Sequence, residues 1–257
     1  GLDAVVPELV GLLGDQARLR TRETARLALK GICGRDFGHD ASAWKEWLRT
    51  RGSGDASAAA RKITFAQYYG VSVNSDRVLF LVDVSGSMRW PWRDPKRIDV
   101  ARKELVRVLR EMPPGSLFNV ILFSTKVRAW QDEEVAADPC NVEAAIAWAE
   151  RNLKDPEGDT CTYAALERAF SRNPRFDTIF LLSDGQPSHG PFASPEGILA
   201  SVKVWNRYRG AVINTVGLTL EDCGMPTTED LRLMKSFVQR LAGSTGGECR
   251  IVLRPPP

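Results

Sequence analysis

Apolar and polar residues along this chain follow two different periods, and the switch between them divides it. Up to Thr50 the apolar positions recur at helical spacing. Val6, Leu9, Val10 and Leu13 share one face, Ala25, Ala28, Leu29 and Ile32 a second, and Trp44, Trp47 and Leu48 a third stripe. Gly31 and Gly34 are placed to end the second helix, and Asp40 or Ser42 to cap the third. Residues 51–62 are rich in Gly, Ser and Ala and read as a linker. Ile63 to Ser75, with Phe65, Tyr68 and Tyr69, is expected to dock along the domain that follows.

From Arg77 the pattern changes. Val78 to Val82 is an uninterrupted apolar run, as in a strand buried on both faces. A helix is predicted over 97–112, with Ile98, Ala101, Leu105, Val108 and Met112 on one stripe, followed by a strand from Leu117 to Phe123. Lys126 to Trp130 reads as a short edge strand. Helical stripes follow at Val142, Ile146, Ala149 and Leu153, and at Tyr163, Leu166 and Phe170. Thr178 to Leu182 is a second buried strand; helix 195–208, strand 211–218, helix 229–242 and a strand near 249–253 complete the series, and the terminal prolines end it. This alternation predicts an α/β fold: a doubly wound, mostly parallel sheet with helices on both faces. The organisation is then a helical segment over 1–50, a linker and docking stretch over 51–75, and an α/β domain over 76–257.

Composition adds mainly exclusions. In 257 residues, 43% hydrophobic and 26% charged content is ordinary for a globular protein. A net charge of +3 does not point to nucleic acid or an anionic membrane. No apolar run is long enough to span a bilayer as a helix. Five cysteines (Cys33, Cys140, Cys161, Cys223 and Cys249) are scattered without CxxC pairs, so they read as reduced thiols, with a Cys140–Cys161 disulfide left open. The chain starts at Gly1-Leu2-Asp3, inside a helical pattern, and reads as a piece of a longer protein. The compartment is therefore open, with the cytoplasm favoured over envelope or secretion.

The chemistry lies where the two long buried strands end. Val82 is followed by Asp83-Val-Ser85-Gly-Ser87-Met88, a carboxylate and two hydroxyls in a turn. Thr178 to Leu182 is followed by Ser183-Asp184-Gly185, and Thr160 opens a helix in Gly158-Asp-Thr-Cys-Thr. Ligands of open α/β sheets sit at the carboxyl ends of strands. Oxygen donors without sulfur or imidazole suit a hard cation such as Mg²⁺.

Together these elements resemble the metal-ion-dependent adhesion site of von Willebrand factor A domains. Asp83, Ser85 and Ser87 match its Asp-x-Ser-x-Ser element, Thr160 its lone threonine and Asp184 its third element, and the likeness covers roughly residues 76–253 in order. The resemblance implies metal ligands at Asp83, Ser85, Ser87, Thr160 and Asp184, with Mg²⁺ (or Mn²⁺ or Ca²⁺) as cofactor. It implies that hydroxyls coordinate more directly than the aspartates, and that an open position takes an Asp or Glu carboxylate from a protein partner. Metal affinity would be modest without that partner. The helical segment resembles a terminal HEAT-type repeat, and the combination suits a bacterial multidomain protein.

Residues around the motif have plainer alternatives. Trp90 and Trp92 are candidate partner contacts, against the alternative of packing on adjacent helices. His189, on the loop after Asp184, is a third candidate, against a solvated loop histidine. Arg89 and Arg93 read as solvated charges, Asp159 as a helix cap, and Cys161 as a packing residue rather than a nucleophile. Gly243-Ser-Thr-Gly-Gly247 resembles a phosphate loop but follows a helix and precedes a strand, the reverse of the Rossmann order. A non-catalytic binding module is the leading reading. RNA binding, as in Ro-type proteins that join HEAT-like helices to such a domain, and an adaptor role beside an AAA+ chaperone are the alternatives. The basic helical ring that carries RNA in the former is not in this sequence.

Overall fold

The computed structural model describes residues 2–50, 66–91, 95–172, 176–219 and 228–253. They form two compact units. The first contains helices α1 (Leu2–Gly11), α2 (Leu19–Cys33) and α3 (Ala41–Thr50). Its core is made by Val6, Val10, Leu13, Ala25, Leu29, Phe37 and Trp44. The Trp44 ring meets Phe37 edge-on at 4.9 Å, and its Nε1 donates to the Gly38 carbonyl at 3.1 Å, so a large buried aromatic keeps its polar atom satisfied. Gly31 lies inside α2; only Gly34, at φ 64°, ends it. Asp40 caps α3 by accepting from the Ser42 and Ala43 amides at 2.9 and 3.0 Å. Ile32 is exposed rather than part of the core face.

The second unit is the α/β domain. It opens with a hairpin, β1 (Gln67–Tyr68) and β2 (Val71–Ser72), and continues as β3 (Arg77–Asp83), a 3₁₀ turn (Gly86–Arg89), α4 (Arg97–Arg110), β4 (Leu117–Phe123), β5 (Val127–Ala129) and β6 (Val135–Ala136). Then come α5 (Pro139–Asn152), α6 (Thr162–Arg172), β7 (Thr178–Ser183), α7 (Pro195–Trp205), β8 (Val212–Leu218), α8 (Thr228–Gly243) and β9 (Cys249–Val252). Seven strands form one sheet in the order β5-β4-β3-β7-β8-β9, with β6 also on β4. The pairs among β4, β3, β7, β8 and β9 are parallel; β5 and β6 run antiparallel to β4.

Alternation along β3 explains the two helical layers. Val78, Phe80 and Val82 join α4 and α5 residues such as Leu105, Val108 and Ile146 in one core. Leu79 and Leu81 point the other way, among Leu166 and Phe170 of α6 and Phe237 and Leu241 of α8. The predicted α/β architecture with helices on both faces is what forms.

The hairpin was not foreseen as structure. Its two-residue turn places Tyr69 at φ 51° and Gly70 at φ 80°, the positive-φ pair that fits a tight turn to twisted strands. Tyr68 is fully buried, with its ring 5.4 Å from Phe80 and 5.7 Å from Phe180. Arg107 of α4 donates to the Gln67 carbonyl at 2.8 Å. Burial of the Tyr69 ring offsets its unfavourable φ. The expected linker at 51–62 and the start of the docking stretch lie outside the described residues.

Candidate metal centre at the carboxyl edge of the sheet

Parallel registry aligns the two carboxylates. Val82 of β3 pairs with Leu182 of β7, so both strands leave the sheet at the same level. Asp83 is buried; its Oδ1 accepts from the Ser85 amide at 2.8 Å and its Oδ2 from the Ser183 hydroxyl at 2.5 Å. The first contact folds the chain back into a tight Asx-type turn. Ser85 then leads into the 3₁₀ turn, which carries Ser87 towards Asp184. The Ser85 and Ser87 hydroxyls lie 3.2 Å apart, and Ser87 donates to Asp184 Oδ1 at 2.7 Å.

Thr160 arrives on a third loop, stitched to the other two by backbone. The Gly86 amide donates to the Gly158 carbonyl at 2.9 Å, and the Glu157 amide to the Val84 carbonyl at 2.9 Å. Arg89 adds a hydrogen bond to the Pro156 carbonyl, so it is held rather than freely solvated. The Thr160 amide donates to the Ser188 hydroxyl at 3.1 Å, and the Ser188 amide returns to the Thr160 carbonyl at 3.0 Å. Gly185 lies beside the Thr160 hydroxyl, 3.7 Å from where a Cβ would stand, an ordinary contact distance. Ser87, Thr160 and Asp184 line one cleft of about 380 Å³ with Trp90, Arg97, Gly185, Gln186, Ser188 and Asp230.

The electrostatics are those of a site short of positive charge. Burial, reinforced by the neighbouring Asp184 charge, pushes Asp83 up to about 7. Burial also raises Asp184, against the opposing pull of Arg97 and the Ser87 hydroxyl. Arg97 Nη1 lies 2.5 Å from Asp184 Oδ2 and is as deeply buried as its partner. Of the two buried carboxylates, Asp184 alone is paired with a guanidinium, and Asp83 is held by hydrogen bonds from Ser85 and Ser183. A hard cation with neutral hydroxyls around it fits the remaining deficit. Among the described residues no group of three or more His, Cys, Asp or Glu side chains converges. Three of the five candidate ligands are hydroxyls, so any cation here would be held by few formal charges.

Residues 78–186 match the model of the von Willebrand factor type A domain. Solved structures with the same fold include "von Willebrand factor type A from Catenulispora acidiphila" (18% identity, TM-score 0.52, covering 72% of this chain and 40% of that one). Another is the conserved hypothetical protein BatB from Bacteroides thetaiotaomicron (17% identity, TM-score 0.53, covering 69% and 90%). The fold is of the von Willebrand factor A type. Curated relatives of this domain include the inter-alpha-trypsin inhibitor heavy chain H3 of Mesocricetus auratus, 37% identical over 144 residues that make 52% of this chain and 16% of that protein. Heavy chain H4 of Homo sapiens is 27% identical over 198 residues, 72% of this chain and 19% of the relative. The matched part is thus under a fifth of either relative's length.

Within this von Willebrand A-type domain, Ser87, Thr160 and Asp184 of the five expected positions line the cleft, while Asp83 and Ser85 are buried and tied to it through the Ser85–Ser87 hydroxyl contact. The surrounding residues divide. Trp90 is exposed at the cleft, 39% accessible, with Arg97 5.5 Å from its ring centroid. His189 is exposed, its Nδ1 3.8 Å from Asp159 Oδ2. Asp159 therefore does not act as the expected cap: α6 begins only at Thr162, and the Asp159 carboxylate faces His189 instead. Trp92, Arg93 and Cys223 lie outside the described residues. Cys161 is buried and Cys140 exposed, and both thiols are free. The residues that sequence reasoning missed are Arg97, Ser183 and Ser188. Arg97 had a legible signal: it shares a helical face with Ala101 and Val108, both buried, where a charge needs a partner.

Proposed function

We propose that this domain is a metal-dependent protein-binding module. Asp83, Ser85, Ser87, Thr160 and Asp184 hold Mg²⁺, or Mn²⁺ or Ca²⁺ in its place, and the metal's open position takes an Asp or Glu carboxylate of a partner. The observation that carries this reading is the meeting of Asp83 and Asp184 at one rim, bridged by the Ser85 and Ser87 hydroxyls, beside an open cleft. Bound metal supplies a Lewis-acidic point of contact; the residues of this chain orient it and leave its charge partly uncompensated. A charge-assisted contact with an incoming carboxylate follows from that imbalance. Trp90 and His189, exposed near the rim, are placed to touch the partner around the metal.

The reading is non-catalytic. The carboxylate that receives the Ser87 hydroxyl is itself held by Arg97, no imidazole stands beside that hydroxyl among the described residues, and Cys161 is buried. Gly243 to Gly247 follows α8 and precedes β9, away from any strand-to-helix phosphate cradle. The three-helix unit is read as the end of a helical repeat array that displays the module. Purified wild-type chain is expected to bind Mn²⁺ in solution titrations and to retain partner protein in Mg²⁺ but not in EDTA. Asp83→Ala and Ser85→Ala should lose both while keeping the wild-type circular dichroism spectrum. Undiminished Mn²⁺ binding by either variant removes the site.

A further inference from the structure

Arg97 is placed against its local preference. It is the first residue of α4, where the helix dipole favours anions over cations. It is nevertheless 98% buried by its 2% accessibility, with Nη1 on Asp184 Oδ2 at 2.5 Å and its guanidinium over the Trp90 ring. Its buried Nε has no hydrogen-bond partner among the described residues. A buried ion pair of this kind adds little stability over an apolar pair, and an unpaired donor subtracts from that. Stability alone therefore does not account for it.

The geometry at Asp184 offers another reason. Ser87 occupies Oδ1 and Arg97 occupies Oδ2, so both oxygens of this carboxylate are engaged before any metal arrives. We propose that Arg97 is a resident counter-cation of Asp184 that competes with the metal for this carboxylate and so keeps cation loading weak. The proposal rests on the metal-site reading above and adds to it a residue that tunes affinity. A site tuned in this way loads firmly only when an anionic partner contributes a further negative charge, because metal and partner then favour each other reciprocally.

The test compares Mn²⁺ affinity of the full chain in wild type, Arg97→Gln and Arg97→Lys, by titration, with melting temperature read in EDTA and in Mn²⁺. Arg97→Gln removes the charge and is expected to bind Mn²⁺ about tenfold tighter or more, the scale on which one close opposite charge moves a carboxylate's equilibrium. Its melting temperature should also rise further on adding Mn²⁺ than that of wild type. Arg97→Lys keeps the positive charge and should stay near wild type. Equal or weaker Mn²⁺ binding by Arg97→Gln overturns the proposal, as does equal tightening in Arg97→Lys. So does an Arg97→Gln chain that stays unfolded in saturating Mn²⁺, since the metal is held to replace the lost charge. If wild type and both variants all fail to bind Mn²⁺ at millimolar concentration, the metal-site reading itself falls.

Discussion

Asp83 accepts two hydrogen bonds in a buried turn and still sits above its ordinary value of 3.8, at about 7, because burial and the Asp184 charge outweigh them. The folded, metal-free chain therefore binds a proton that the unfolded chain has already released between about pH 4 and about pH 7. Through this group, stability falls as pH rises across that window and levels off above it. Unfolding midpoints in EDTA should decrease from pH 5 to pH 8, and Asp83→Asn should flatten the slope; a rise with pH in wild type and not in the variant contradicts the assignment. Tyr68 gives the opposite kind of prediction. Its hydroxyl is buried without a partner among the described residues, so Tyr68→Phe should be neutral or stabilising by up to about 1 kcal/mol in denaturant melts. At this scale the sequence exposes residues whose type is unusual for their position, such as a carboxylate ending an apolar run. It hides Ser183 and Ser188, whose roles depend on what lies opposite them: Asp83 across the sheet edge and Thr160 on another loop.

The loop carrying Thr160 depends on one backbone conformation. Gly158 has φ 79°, its carbonyl receives the Gly86 amide, and a Cβ there would run into the Thr125 hydroxyl. That hydroxyl is itself the acceptor for the Asp159 amide at 2.8 Å. Gly158→Ala is expected to cost about 1–3 kcal/mol in chemical denaturation and to weaken Mn²⁺ binding, by shifting Thr160 away from the rim. A variant with wild-type stability shows that the loop gives way freely. Helices with a continuous stripe, such as α4 and α5, were readable because four or five apolar residues repeat at one period. The β1–β2 hairpin and β6 were not, since a strand of two residues contains no period. The Asp159 cap was misread for a related reason: capping depends on where the helix starts, and α6 starts at Thr162.

Among the described residues, the apolar groups fall into three clusters, and the cluster around Trp44 shares no residue with the two that sandwich the sheet. The α/β unit includes the hairpin, whose Tyr68 belongs to the sheet's core. A chain beginning at Ala66 should therefore keep a single cooperative unfolding transition and its near-ultraviolet dichroism, while one beginning at Arg77 should lose several kcal/mol with the Tyr68 ring, about 3–5 kcal/mol for a large buried aromatic. Loss of cooperative melting in the longer of the two contradicts this division. The general plan was legible because buried strands and amphipathic helices alternate; the boundary near Ala66 was not, because the hairpin's strands are too short to show a period.

The pairing of β3 with β7 also sets an order in time. Ser183 reaches Asp83 across 100 residues of chain, and everything between them, including β4, α5 and Thr160, is made first. A ribosome that has just released β3 has already produced Asp83, Ser85 and Ser87, yet nothing that closes around them. Such non-local strand pairing is slow to form. A nascent chain halted before β7 would display the complete Asp-x-Ser-x-Ser motif without the Asp184 that the proposed site requires. On the metal-site proposal, ion capture would be open only to chains whose central strands have found each other in register.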